Sequence, residues 1–344
     1  MNSTMTELSS PHTRPVRGVA VTLSGSMALA IVIVAGVGLG ARDISPLDVV
    51  RALAHAGGAD YDAQVLWTER IPRTLLAVLV GASLGSSGLI MQALTLNPLA
   101  DPGILGVEQG AALFVVSGVV MFHVTGVRAY FWLALAGAAV TAALVYGIGV
   151  RTQTGSTTIG LVLAGVAVAA ICASATTLLV ARDDAANAHL RFWSVGQLTG
   201  RAGVLDEIVP FAAAGLLLAL PLGRTLNMLN LGEDAAAALG VRVGRARLMC
   251  AAVGVLLCAS ATAAVGPVAF VGLVAAHCAR LMIGADHRWA LPLSMTCGAV
   301  LLCLADIVGR LAGGQGEVQV AVMTALLGTP FFVWLARRGD LVRV

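Results

Sequence analysis

Apolar stretches of about 20 residues, almost free of charge, recur from one end of the 344-residue chain to the other, separated by short polar breaks. Each is long enough to cross a hydrocarbon layer about 30 Å thick, and none shows the two-residue alternation of a half-buried strand. The pattern predicts ten helices, over 19–39, 72–94, 103–122, 129–150, 157–181, 204–222, 246–265, 267–283, 289–309 and 318–336. The fold expected is therefore all-α and polytopic, with a tail at 1–18, a membrane domain over 19–338 and a tail at 339–344. The polar start ahead of 19–39 lacks a small-residue cut site, so the first run reads as a retained span rather than a cleaved signal.

Composition sharpens this picture. Apolar residues make up 58% of the chain and charged residues 11%, about half the share of an average soluble domain. All 21 basic residues are Arg. Without Lys the chain has no nucleotide-binding G-x-x-x-x-G-K-[ST] loop and no Schiff-base chemistry, so any ATP it uses is hydrolysed by a partner. Its six cysteines stand singly in apolar runs with no C-x-x-C spacing, which reads as packing. No H-E-x-x-H or carboxylate-rich cluster offers a metal or a hydrolytic site. An even number of spans puts both termini on one side. The dense arginine groups, 242/245/247 and 337/338/343, then share that side, which the positive-inside rule makes cytoplasmic.

Two connections are long enough to carry function. In 41–69, Ser45 and Pro46 open a short helical pattern. In 224–247, Gly232 and Gly240 bracket an Ala-rich helix with an acidic first turn, suited to docking another subunit. Small residues from Gly81 to Gly88 allow close helix approach. Ionisable groups in or beside spans need partners. His277 and Arg280 share a helix face, and Asp306 and Arg310 are spaced to pair along another. Glu108 and Gln92 are expected to face protein. Arg70, Arg73 and Arg310 gather at the far end as an electropositive collar suited to an acidic partner. Asn97 to Gly103 is a proline-bounded turn.

These segments carry a resemblance. R-I-P-R-T-L at 70–75, G-A-S-L-G-S-S-G-L-I-M-Q at 81–92, N-P-L-A-D-P-G-I-L-G at 97–106, L-N-L-G-E-D-A-A-A-A-L-G at 229–240, G-P-V-A-F-V-G-L-V-A-A-H-C-A-R at 266–280 with G-A-D-H-R at 284–288, and A-D-I-V-G-R at 305–310 stand in this order. The chain resembles the permease subunits of type II ABC importers for ferric siderophores, haem and cobalamin, the FecCD-like permeases. The resemblance implies ten spans, a homodimer or close heterodimer in the bacterial inner membrane, two ABC ATPase subunits that bind the ATP and Mg, and an extracytoplasmic substrate-binding protein. It implies ATPase coupling through Gly232, Glu233, Ala235, Leu239 and Gly240, docking of the binding protein at Arg70, Arg73 and Arg310, and a cytoplasmic gate at Asn97, Leu99, Thr157 and Thr158. It implies no cofactor in this chain. Ala275-Ala276-His277 replaces the family's usual apolar-Pro-His and removes a kink. An ion-coupled secondary transporter would need acidic groups at broken helices near mid-membrane, for which Asp306 is the weak candidate; an iron chelate, a ferric siderophore first, is the expected cargo.

Overall fold

The computed structural model describes residues 13–39, 64–151, 157–181, 183–313 and 317–338. The tails at 1–12 and 339–344 and the Ser45–Asp48 helix start lie outside them. The described residues form α1 Thr13–Gly38, α2 Ile71–Thr95, α3 Val107–Phe122, α4 Val127–Arg151, α5 Thr157–Val180, α6 Asp184–Ser194, α7 Leu205–Leu229, α8 Glu233–Ala238, α9 Val243–Val265, α10 Val271–Ile283, α11 His287–Ala312 and α12 Val320–Arg338. Seven are long and apolar enough to cross a membrane; α3, α10 and α12 are shorter apolar helices at predicted span positions. The protein is an all-α, multi-pass membrane protein.

Boundaries depart from the sequence reading where backbone chemistry overrides hydropathy. Helical structure begins ahead of Pro72, through a π-helical turn Leu66–Arg70, because the wider turn accommodates the missing proline N–H. The third span starts late because a 3-10 turn Pro102–Leu105 and left-handed Gly106 precede α3. The eighth starts at Val271 because Gly266 and Phe270 both have positive φ. α7 continues past Pro221 to Leu229, and the predicted 224–247 connection shrinks to 230–242 between α7 and α9. Leu222, Leu226 and Leu229 keep one buried face through that extra length, so packing outweighs the polar residues between them. α10 runs without interruption through Ala275 and Ala276, as the absence of proline there allows.

The centre of the molecule is a backbone-to-backbone crossing. Glycines on α2 lie against main chain of two later helices: Gly81 against the Gly298 carbonyl, Gly85 against the Ser294 carbonyl, both on α11, and Gly88 against Gly272 on α10. The approach is reciprocal, since Gly298 has no room for a Cβ against the Gly81 carbonyl. Lipid tails are as apolar as leucine, so helices in a membrane associate through such close contact rather than through water exclusion. Around the crossing, α2 is buried almost continuously from Val80 to Ala93. One apolar cluster, including Leu76, Val115, Phe131, Trp193 and Ile208, fills the end near Arg70; a second, including Leu89, Ile90, Leu226, Cys250 and Leu291, fills the end near α8.

Replacing Gly85 with Leu drives a side chain into the α11 backbone, with an expected cost of about 3 kcal/mol or more. The expected outcome is loss of the monodisperse, detergent-extracted protein in size-exclusion chromatography. Gly147→Ala, where an added Cβ meets nothing within 4 Å, should leave the profile unchanged.

Candidate functional site

Three groups of residues carry candidate function, two at the α8 end and one at the opposite end. α8 is a one-and-a-half-turn helix held between two left-handed glycines, Gly232 with φ +99° and Gly240 with φ +82°. Those backbone values suit glycine and let the chain reverse sharply on either side. Ala236 is buried and anchors the helix, while Glu233, Ala235 and Leu239 are exposed. Leu231 and Leu239 each expose 63% of their surface, an apolar knob at either end of an acidic helix. The Glu233 carboxylate accepts a 2.5 Å hydrogen bond from Arg247 in the first turns of α9. The predicted coupling residues are thus displayed on one small element tied to a long helix by one ion pair.

Beside it lies the turn that ends α2. Leu96 takes a left-handed conformation, Asn97 N–H donates to the Gln92 carbonyl, and the Asn97 side-chain oxygen accepts from Leu99 N–H at 3.0 Å. Asn97 and Leu99 are exposed. Thr157 and Thr158 fall in the first turn of α5, and their side chains lie outside the described residues. A hollow of about 110 Å³ behind the turn is lined by Gln92, Asn97, Asn230, Arg280 and His287. Arg280 donates to the Gln92 side-chain oxygen rather than pairing with its helix neighbour His277. His277 places Nδ1 3.0 Å from the Leu273 carbonyl and packs edge-on against Phe332, so the two residues share one helix and each finds its own partner. Sequence reasoning missed the remaining members. Asn227 of α7 donates to Asp286 at 2.7 Å, and its oxygen accepts from His287 N–H at 2.9 Å. Hydrogen bonds from Arg288 above all hold the Asp286 carboxyl down at about 2, against burial and with further help from Asn227. The cluster joins α7 to the start of α11 at the edge of the turn that ends α2.

At the opposite end, Arg70, Arg73 and Arg310 do come together, but their guanidinium groups turn inward. Arg70 donates to the Val37 and Gly38 carbonyls at 3.2 and 2.8 Å, and Arg310 to those of Leu39 and Gly36 at 2.8 and 3.0 Å. Two cations thereby satisfy the orphan carbonyls that close α1, where the helix dipole favours positive charge. Asp306 sits beneath, 2.7 Å from Arg73 and 3.2 Å from Arg310, so the pairing read from the sequence is present and gains a third member. Arg73 also reaches Glu317 at 2.8 Å. Burial alone would raise the Glu317 carboxyl, but hydrogen bonds from Thr199 and Arg73 outweigh it and hold it below its ordinary value. Arg70 and Arg310 are buried, and Arg73 is 13% exposed at the rim of a hollow of about 230 Å³ shared with Glu317. The three arginines of this group are committed to a helix end and to carboxylates of the same chain.

Glu108, Gln92 and Asp306 are partly or fully buried against protein, and the six cysteines are free and buried or half-buried. Among the described residues no group of three or more His, Cys, Asp or Glu could hold a metal ion.

The model of the FecCD transport family matches residues 28–338. The chain belongs to the FecCD transport family. Family relatives include the ferric enterobactin transport system permease protein FepD of Escherichia coli, 39% identical over 322 residues, 93% of this chain and 96% of the relative. The hemin transport system permease protein HmuU of Yersinia pestis is 37% identical over 324 residues, 91% of this chain and 95% of the relative. A solved structure described as an inward-facing conformation of a metal-chelate type ABC transporter superposes with a TM-score of 0.81 at 27% identity, covering 93% of this chain and 99% of that one. As a FecCD member the chain is a permease subunit of an ABC importer.

Asp306→Ala removes the carboxylate shared by Arg73 and Arg310. It should destabilise the protein by roughly 3 kcal/mol, read as a lowered unfolding temperature in detergent, whereas an exposed surface pair would contribute under about 1 kcal/mol. For Asp286 the folded carboxyl lies below its ordinary 3.8, so its contribution is complete above that value and is lost as pH falls through about 2. Unfolding of the wild type and of Asp286→Asn should therefore differ by a constant amount from pH 5 to 8 and converge only in strong acid.

Proposed function

We propose that this permease carries an iron chelate, a ferric siderophore first, into the bacterial cytoplasm by alternating access, with ATP hydrolysed by separate ABC ATPase subunits. In this reading the chain crosses the membrane ten times and pairs with a second permease copy. Its termini and α8 face the cytoplasm, two ATPases sit against α8, and an extracytoplasmic binding protein delivers cargo at the opposite end. The observation that carries the reading is α8 itself. A short, exposed helix between two glycine hinges, with leucine at both ends and an ion pair to a spanning helix, has the form of a lever for a neighbouring subunit.

ATP binding draws the ATPases together, the motion reaches α8, and the Glu233–Arg247 pair passes it to α9 and so to the gate turn at Asn97 and Leu99. Two global arrangements of the dimer are biased by nucleotide, and no covalent chemistry occurs in this chain. Low charge and abundant small side chains suit a wide path that binds its cargo weakly, leaving selectivity to the binding protein. The names of relatives extend over ferric siderophore, hemin and cobalamin transport, so haem and cobalamin are the competing cargoes. At the docking end, Arg73 and Glu317 at the rim of their hollow are the accessible charges for a binding protein, while Arg70 and Arg310 support that face by fixing α1.

Reconstitution tests the reading. In vesicles with the ATPase and binding protein, uptake should persist when the proton gradient is collapsed and ATP maintained; uptake that follows the gradient, or that occurs without the companion proteins, overturns it. Glu233→Arg should uncouple ATP hydrolysis from transport while the permease remains folded, and adding Arg247→Glu to it should restore part of the coupling. Uptake by Glu233→Arg at the wild-type rate would remove α8 as the lever. Arg73→Glu should weaken binding-protein docking more at low salt than at high salt, measured by surface plasmon resonance.

A further inference from the structure

On the flank away from the glycine crossing, α4, α7 and α9 leave a groove of about 590 Å³. Its floor is almost wholly apolar. Ala139, Ala143 and Gly147 of α4 face Leu248 and Ala252 of α9, all five exposed, so the groove opens sideways rather than being roofed by the chain. It follows α9 from Leu248 to Ala259, about 16 Å at 1.5 Å per residue, with Phe211 of α7 toward the far end. Apart from Tyr146 no side chain along this length offers water a polar partner, so in a bilayer the groove suits hydrocarbon.

The end of the groove toward α8 is chemically different. A second, smaller hollow shares Leu105, Tyr146 and Ala251 with it and reaches Arg247. One helical turn beyond Leu248 on the same face of α9 is Arg245, and one turn beyond Gly147 on α4 is Arg151, both exposed. Three arginines therefore surround one end of an acyl-sized trough. Of the acidic groups there, Asp101 accepts from Gly103 N–H at 2.9 Å and Glu233 is paired with Arg247, while Asp234 of α8 is exposed. Basic pockets between spanning helices on the cytoplasmic side suit anionic headgroups.

We propose that this groove is a binding site for an anionic phospholipid of the leaflet facing α8, one acyl chain lying along α4 and α9 and the phosphate held by Arg151 and Arg245, with Arg247 beneath. Because Arg247 also holds Glu233, the bound headgroup sits beside the connection between α8 and α9.

The test uses the full-length chain in vesicles and two photoactivatable lipids with identical chains, phosphatidylglycerol and phosphatidylcholine. Mapping of labelled peptides should place phosphatidylglycerol on 135–147 and 248–259 about tenfold more than phosphatidylcholine. Arg151→Gln with Arg245→Gln should abolish that preference, and Ala143→Phe with Ala252→Phe should exclude both lipids from these segments. Equal labelling by the two lipids in the wild type overturns the site without reference to any variant's folding. So does labelling spread evenly over the exposed face of α1, or a preference that survives loss of both arginines. No nucleotide or partner subunit enters the measurement, so its outcome is independent of the transport reading.

Discussion

Everything in this molecule hangs on how closely α2 can approach α10 and α11. In a membrane the hydrophobic effect supplies no net drive between helices, so stability comes from shape. Gly81, Gly85 and Gly88 bring main chain against main chain at Gly298, Ser294 and Gly272. That contact fixes α2 along most of its length, and two of the three candidate groups lie at its ends: the turn at Asn97 where it stops at Thr95, the arginine group where it starts at Ile71. A rigid central strut with functional groups at its tips moves as a unit, which suits a protein that alternates between two arrangements rather than deforming continuously.

The arginine end shows how charge can serve architecture without serving a ligand. α1 is mostly exposed to its surroundings and packs on α2 and α11 through small residues: Gly18 beneath Trp289, Gly36 beside Thr74. Such a helix has little burial to hold it. Arg70 and Arg310 compensate by gripping its last carbonyls, and Asp306 neutralises the cluster from below. Removing any one charge from a buried triad leaves the others uncompensated, so the group is held together by the cost of its disruption as much as by its attractions.

The helices were legible in the sequence because length and hydropathy are local properties, and the π-turn before Pro72 or the extension of α7 past Pro221 were not, because they depend on neighbours. The same division runs through the site. The α8 helix, with its bracketing glycines, could be read from ten consecutive residues. The Asp306–Arg310 pair could be read because it is four residues long. Arg73 joins that pair across 233 positions, Asn227 reaches Asp286 and His287 across about 60, and Arg280 prefers Gln92 of a distant helix to His277 on its own. Periodicity announces that a polar group needs a partner and is silent on which one. For the outer arginines it gave position and sign but not direction, and direction decides whether a guanidinium is offered to a protein partner or committed to a helix end.

The α8 end differs from the arginine end in one respect that bears on mechanism. At the arginine end the charges are buried, mutually paired and bound to backbone, an arrangement that resists change. Near α8 the ionic links are single and partly exposed: Glu233 is 61% exposed in its pair with Arg247, and Arg288 is 57% exposed in its pair with Asp286. Exposed pairs contribute little to stability and are broken and remade at small cost. A subunit driven as proposed, from its α8 end, needs a firm end and a yielding one. In the proposed cycle the buried network holds the end where the binding protein docks and the exposed links lie where the ATPases push, so the Glu233–Arg247 contact and the turn at Asn97 are the places able to shift between the two arrangements while the glycine crossing stays fixed.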